Sequence, residues 1–467
     1  MTDSAVAESC RLTVRAPSVT IDLAVPADVP VADLLPTLLR YVGEEAEEAG
    51  LDHAGWVLQR LGDAPLDEET TLAQAGLSDG AVLHLRPHTE ALPEARLDDL
   101  VDGIAETVGR RLHTWSAAAA RGLLVGTAVA TVVAALVLVF RPGWPIPPPS
   151  AACAAIAGVL LLAGAGSASR AVGDRLSATA LGLLVAPCFA LVGWVLPGGD
   201  LTGPDAAEVA GARLLAAGAA AAGGAVLALA ATAVGAPALL ATAVVAVATA
   251  VSGALMGYTG LDVPAAVALV ATIVALAAGA VAPFAFKLAG MRMPSLPSSA
   301  GQLQEGIDPY AGDEVAERTE LAGRWVTALF AATGTIAAAA LAVLAHTPDL
   351  PETLTALSLA LLLLLHSRGL VHIGQRLTLA VPGIWGLLLL ARAWAVDSDA
   401  DGRVIVFAVL LAVAAALVTA SWIVPGRRVL PYWGRAAELA HTGLAVALLP
   451  LTLWVAGLFG WLRGLFG

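Results

Sequence analysis

The chain has 467 residues, of which 58% are hydrophobic and only 13% charged, with a formal net charge of −13. Soluble globular proteins carry about 25% charged residues, so this composition excludes an ordinary water-soluble fold and places most of the chain in lipid. Many of the acids fall before residue 110 or in short loops between apolar runs, and no basic face for nucleic acid emerges.

Residues 10 to 15 and 19 to 25 alternate apolar and polar side chains around Ala16, Pro17 and Ser18, which predicts a hairpin with one buried face. Val31, Leu34, Leu35, Leu38, Leu39 and Val42 then recur at helical spacing, predicting an amphipathic helix of about five turns that ends in the acidic stretch 44 to 48. Pro36 is tolerated there if the helix starts near Asp33. A third strand at Trp56, Leu58 and Leu61, a short helical turn at 71 to 77 and a last strand at 81 to 86 complete the set. This order, with the Thr-Leu-x-x-x-Gly-Leu-x-Asp-Gly-x-x-Leu-x-Leu stretch at 71 to 85, resembles the ubiquitin-like β-grasp. The chain continues through Leu92 and Pro93 instead of ending in Gly-Gly, so a docking module is expected rather than a conjugated tag.

Residues 1 to 90 are thus expected to form a ubiquitin-like domain, and 91 to 120 an amphipathic linker. In the linker Leu97, Leu100, Val101, Ile104, Val108 and Leu112 share a stripe opposite Asp98, Asp99, Asp102 and Glu106, leading into Arg110, Arg111 and Trp115. Such a stripe suits the membrane surface, the head or a partner.

Residues 121 to 467 are expected to form a transmembrane domain. A spanning helix needs about 20 mainly apolar residues. On that rule spans fall near 121 to 140, 150 to 168, 177 to 196, 209 to 231, 236 to 257, 263 to 286, 322 to 345, 351 to 367, 377 to 395, 403 to 424 and 437 to 459. The fold class is therefore an α-helical polytopic membrane protein of about eleven spans with a β-grasp head. No signal peptide is expected, because the first long apolar stretch begins near Gly122. With the head inside, Arg110, Arg111, Arg121, Arg170, Arg175, Lys287, Arg292, Arg318, Arg324, Arg368, Arg376, Arg427, Arg428 and Arg435 fall on the cytoplasmic side, while only Arg141, Arg213, Arg392, Arg403 and Arg463 fall outside, with Asp200, Asp205, Glu208, Asp262 and Asp397. The positive-inside rule then predicts a cytoplasmic N-terminus, an extracytoplasmic C-terminus and a long cytoplasmic loop at 287 to 321.

Ionised side chains stay near the span ends, as do His346, His366 and His441, so proton or ion coupling through midspan groups is disfavoured. Pro187, Pro283 and Pro382 interrupt spans, as kinks or as broken-helix binding segments. Gly211, Gly218, Gly223 and Gly224, and the pair Gly253 and Gly257, let helices approach closely. Cys10, Cys153 and Cys188 lack metal-ligand spacing. Phosphate-loop, metalloprotease and nucleophile-elbow signatures are missing, and neither a catalytic residue nor a cofactor site is predicted.

The loop opening Lys287-Leu-Ala-Gly-Met-Arg-Met-Pro-Ser-Leu-Pro297 contains Arg292, Pro294 and Pro297. Together with the β-grasp head, the linker and about eleven spans, it resembles EccD, the polytopic membrane component of actinobacterial type VII secretion systems. The resemblance implies a structural, non-enzymatic subunit of the cell membrane, paired with a second copy around lipid. Its implied partners are EccB, EccE and the EccC ATPase, in a complex that exports small WXG-type proteins. It adds no catalytic residue. Arg110, Arg111, Trp115, Arg292, Pro294 and Pro297 are the expected interaction positions on the cytoplasmic side, and Gly253 and Gly257 the expected helix-packing positions. Two other readings stay open: a small-molecule transporter with unwound segments at Pro187 and Pro382, and a lipid-acting enzyme using the cluster Asp397, Asp399 and Asp401.

Overall fold

The structure, a computed structural model, describes residues 9–17, 19–42, 55–61, 63–88, 117–139, 147, 149–291, 312–347, 349–423 and 431–466. The chain divides into two compact units, Met1–Ser116 and Ala117–Gly467.

In the first unit, β1 (Ser9–Arg15) and β2 (Thr20–Pro26) form the expected hairpin, with Leu12 opposite Leu23. β1 also pairs in parallel with β4 (Ala81–Pro87), Val14 lying opposite Leu83, and β4 pairs antiparallel with β3 (Trp56–Gln59). The order β2-β1-β4-β3 gives a mixed sheet whose inward side chains, among them Leu12, Val14, Leu58, Leu83 and Leu85, are buried. Helix α1 (Val31–Val42) adds Val31, Leu34, Leu35 and Leu38 to the same core. Each fully buried Leu contributes roughly 1.5–3 kcal/mol relative to exposure, which sets the register by which face of each strand is apolar.

Two local expectations change. α1 starts at Val31, so Pro36 lies beyond its first turn and removes the bond to the Ala32 carbonyl. The start is fixed from outside the helix: the Val31 and Ala32 amides donate to the carbonyls of Thr70 and Glu68 at 3.0 and 2.9 Å. β3 stops at Gln59, which is fully buried and donates through Nε2 to the Asp63 carbonyl at 2.7 Å, while Leu61 is left outside the strand and exposed. The acidic stretch 44 to 48 lies outside the described residues. Gly80, at φ +83°, lets the chain turn into β4; its amide meets the Arg11 carbonyl at 2.8 Å, while the Arg11 amide meets Asp79 Oδ1 at 2.8 Å.

The second unit is helical: α2 (Ala117–Val139), α3 (Pro149–Ser167), α4 (Arg175–Val195), α5 (Ala206–Thr232), α6 (Ala236–Thr259), α7 (Val263–Ala277), α8 (Val281–Leu288), α9 (Gly312–Leu344), α10 (Leu350–Arg368), α11 (Ile373–Asp397), α12 (Ala400–Ile423), α13 (Pro431–Val455) and α14 (Leu458–Phe466). Among the described residues eleven segments are long and apolar enough to span a membrane, α7 and α8 counting as one. That joint is the work of Pro283. It has no amide hydrogen for the Gly279 carbonyl, and the helix passes through a 3₁₀ turn at Ala278–Ala280. Pro187 and Pro382, by contrast, lie in uninterrupted helices.

Helices α3 to α6 pack in sequence, and α9 then touches α6, α7, α8, α10 and α11. Leu362 and Leu363 of the Leu361–Leu365 run fill the core with Phe330, Leu341 and Leu379. In lipid the apolar effect does not drive helices together, so close packing must. A Cβ on Gly218 would sit 2.3 Å from the Ala250 amide nitrogen, and one on Gly193 2.3 Å from the Ala216 carbonyl oxygen. Gly334 meets the consequence of a proline: its Cβ would lie 2.0 Å from the Thr378 carbonyl oxygen, which Pro382 cannot bond within α11.

Adding one methyl at such a contact forces a backbone shift that costs about 1–3 kcal/mol. Gly218→Ala and Gly334→Ala should each lower the melting temperature of the purified protein in detergent. Gly223→Ala, whose Cβ would meet nothing within 4 Å, should leave it unchanged or raise it; equal losses at all three positions would contradict the close-contact account.

Candidate functional site

Of the predicted interaction residues, Arg110, Arg111, Trp115, Arg292, Pro294 and Pro297 lie outside the described residues. Gly253 and Gly257 both lie on α6 but differ in surroundings. A Cβ on Gly253 would fall 2.3 Å from the Leu215 amide nitrogen and 2.6 Å from the Gly211 carbonyl oxygen of α5. One on Gly257 would point into open space, although the Gly257 amide nitrogen lies 3.1 Å from where a Cβ on Gly211 would stand. Gly253 thus stands at a backbone contact of the two helices, as Gly218 does, and Gly257 takes part only through its backbone.

The helix ends are joined by polar contacts. Asp174 caps α4 by accepting from the Leu176 and Ser177 amides at 3.1 and 3.2 Å, and the same carboxylate pairs with Arg121 in the first turns of α2. Hydrogen bonds, first from Ser177 and second from Arg121, lower the Asp174 carboxyl to about 2. Nearby, Arg170 donates to the Ala231 and Ala230 carbonyls at 2.9 and 3.1 Å, and Ser169 to the Thr232 carbonyl at 2.6 Å, serving the otherwise open C-terminal carbonyls of α5. At the other end of α5, Arg213 donates to the Gly198 carbonyl at 2.9 Å and lies over the Trp194 ring.

α13 is latched by three contacts between elements far apart in sequence. Thr452 Oγ1 meets Thr272 Oγ1 of α7 at 2.7 Å in a buried position, His441 Nε2 meets His366 Nδ1 of α10 at 3.2 Å, and Arg368 donates to the Gly434 carbonyl at 3.3 Å. The Phe330 and His366 rings pack in a T-shaped arrangement, their centroids 5.5 Å apart. In the sequence only a similar distance from span ends connects His366 with His441. His346 instead faces its own helix, with Nδ1 2.6 Å from the Ala342 carbonyl oxygen. In the acidic cluster, Asp399 caps the start of α12, accepting from the Gly402 amide at 2.8 Å. No group of three or more His, Cys, Asp and Glu side chains able to hold a metal occurs among the described residues.

The edges of the unit are apolar and uncovered. The most apolar stretches of α2 and α12 are 0% and 6% buried, against 50% in α9. Val404, Phe407, Leu411 and Leu417 of α12 are all exposed. The arrangement is a packed centre with broad outward faces for lipid or other helices, and its polar side chains serve caps and latches.

A family model described as the EccD-like transmembrane domain matches residues 119–465, and one described as WXG100 protein secretion system (Wss), protein YukD, matches residues 9–85. The ESX-4 secretion system protein eccD4 of Mycobacterium tuberculosis, in strains CDC 1551 / Oshkosh and ATCC 25618 / H37Rv, is 30% identical over 471 residues, covering 97% of both chains. Protomer 1 of the ESX-3 core complex has a similar fold, with TM-score 0.58 and 18% identity over 97% of this chain and 100% of that one. So does a chain of the MycP5-free ESX-5 inner membrane complex in State II, with TM-score 0.58 and 20% identity over 88% of this chain and 99% of that one.

The depressed Asp174 carboxyl makes the α2 to α4 joint pH-dependent. A lowered folded-state value stabilises the fold above the ordinary value of 3.8, and this contribution is lost as pH falls towards about 2. Wild type should therefore melt above Asp174→Asn at neutral pH, with the gap closing through that acid window. A gap that persists at the acid end would show that the cap and the ion pair are not its source.

Proposed function

The chain belongs to the EccD family, and we propose that it serves as a structural membrane subunit of a type VII protein secretion complex, forming part of the helical frame of the assembly. The observation that carries this reading is the end-to-end match to eccD4, which spans head and membrane unit together. The architecture supports it: eleven apolar segments among the described residues, backbone-to-backbone packing, and polar side chains engaged in caps and latches.

In this proposal the chain is not itself an enzyme. An EccC-type ATPase supplies the energy, EccB- and EccE-type subunits complete the frame, and WXG-type proteins are the cargo. A second copy of the chain pairs with it. The β-grasp head, the linker and the loop at 287 to 321 face the cytoplasm and dock these subunits, with Arg110, Arg111 and Trp115 of the linker and Arg292, Pro294 and Pro297 of the loop as interaction positions, and the C-terminus lies outside. The imbalance of Arg and Lys between alternate loops supports that orientation. The rival transporter reading loses its two named sites, because Pro187 and Pro382 lie in continuous helices.

Gentle purification from the native host should bring down an ATPase and other membrane subunits. Deleting residues 1 to 90 should weaken that co-purification while leaving the membrane unit inserted; undiminished recovery of the partners would sink the docking role of the head. For orientation, a cysteine in place of Ser398, between α11 and α12, should react with an impermeant thiol reagent in intact cells, whereas reaction only after permeabilisation would place the loop inside.

A further inference from the structure

A crevice of about 1090 Å³ opens between the start of α6, the first part of α9 and the start of α11. Along α6 its lining runs from the Gly235 cap to Val245, ten residues or about 15 Å of helix, half of a hydrocarbon core about 30 Å thick. Along α9 it runs from Thr319 to Thr335, about 24 Å, of which the stretch below Arg324 at the mouth is about 16 Å, so its apolar depth is about one leaflet. A smaller cavity of about 240 Å³ shares Val245 and Thr335 with it.

Its walls and its mouth differ in chemistry. Ala238, Ala241, Val245, Ala328 and Ala331 line the deep part. The threonines there spend their hydroxyls on their own helices: Thr242 donates to the Ala238 carbonyl at 3.0 Å, Thr327 to Gly323 at 2.8 Å and Thr335 to Ala331 at 2.8 Å. The depth thus offers a ligand no open donor. At the mouth stand Glu320, Arg324, His372 and Gln375. Arg324 and Glu320 form an exposed pair at 2.6 Å, a contact weak enough in water for a phosphate to compete with. The Gly374 amide donates to His372 Nδ1 at 3.2 Å, which leaves the neutral ring's proton on Nε2. α6 begins here with Gly235 as its cap and no capping side chain, and the positive end of its dipole faces the same mouth.

We propose that this crevice binds one glycerophospholipid of the leaflet that contains the start of α6. Its phosphate sits at Arg324 and His372 Nε2, and an acyl chain lies along Ala238, Ala241 and Ala331. The lipid links α6 to α9 and α11, filling the gap between the glycine-packed helices and the core centred on α9. Glu320, freed from Arg324, faces the amine of headgroups that carry one.

The test uses the full-length protein in vesicles of phosphatidylethanolamine and phosphatidylglycerol, with a trace of phospholipid bearing a photoreactive diazirine on one acyl chain. Labelling should concentrate on residues 234–245 and 327–335 and exceed that of α12, which reports ordinary annular lipid. Ala331→Trp should fill the crevice, and Arg324→Glu should repel the phosphate without touching the packed centre. Each should lower crevice labelling about tenfold, the loss expected for a charge-assisted bond or a blocked site, with α12 labelling unchanged. A crevice labelled no more than α12, or one indifferent to Arg324→Glu, would overturn the site. So would capture of a cysteine at Ala331 by a cysteine placed within 292–311, which would mean the chain fills its own crevice.

Discussion

Backbone touching backbone is the constraint on which the membrane unit rests. At Gly193, Gly218 and Gly253 a Cβ would fall 2.3 Å from a main-chain atom of the neighbouring helix, and at Gly334 2.0 Å. Lipid tails are as apolar as leucine, so two helices gain little by hiding apolar side chains from them; they gain by bringing many atoms into contact at short range. Removing the Cβ is what permits that range. The sequence carries 47 glycines, and at these four the missing side chain has a specific geometric use.

The same constraint orders the polar groups. A carbonyl stranded in lipid costs several kcal/mol, and each proline within a helix strands one. The chain answers in two ways. At Pro283 the helix tightens into a 3₁₀ turn, whereas at Pro382 the open Thr378 carbonyl is pressed against Gly334 of α9. Around the rim, Asp174, Arg170, Ser169 and Arg213 complete the helix ends, so the charges near the membrane boundary tie helices together.

Much of this was legible in the chain before its structure. Strands β1, β2 and β4 follow from period-two alternation, and the eleven spans from apolar length, since both signals are local. What depends on contacts outside the local periodic pattern was not legible. α1 begins at Val31 because Thr70 and Glu68 receive its first amides, and no cap in its own sequence says so. Gln59 looks like a solvent-facing strand residue until Asp63 folds back to bind it. Among the membrane helices, Gly253 and Gly257 have the same small-residue spacing, yet one is at the contact and the other beside it. The pairing of His366 with His441 needs the packing of α10 on α13, which hydrophobic length cannot supply. Six of the eight expected interaction positions fall outside the described residues, so the structure bears on that set only through the two glycines.

Rigidity is unevenly distributed as a result. α4 to α6 and α9 to α11 are locked by shape, because sliding any of them would drive main-chain atoms together. α13 packs on α10 and α7 through buried Leu448 and is tied to them by Thr272 to Thr452 and by His366 to His441. α2 is held chiefly against α4, with Arg121 on Asp174 at one end, and α12 leans on α11. Exposed apolar side chains on these outer helices cost nothing in lipid, so exposure alone does not call for a protein neighbour. The gradient from centre to edge is more informative. A carrier that alternates between two states needs its sliding surface in the middle, whereas here the middle is where backbone contact forbids sliding. The freedom lies at the rim, where a frame must fit the helices of other subunits.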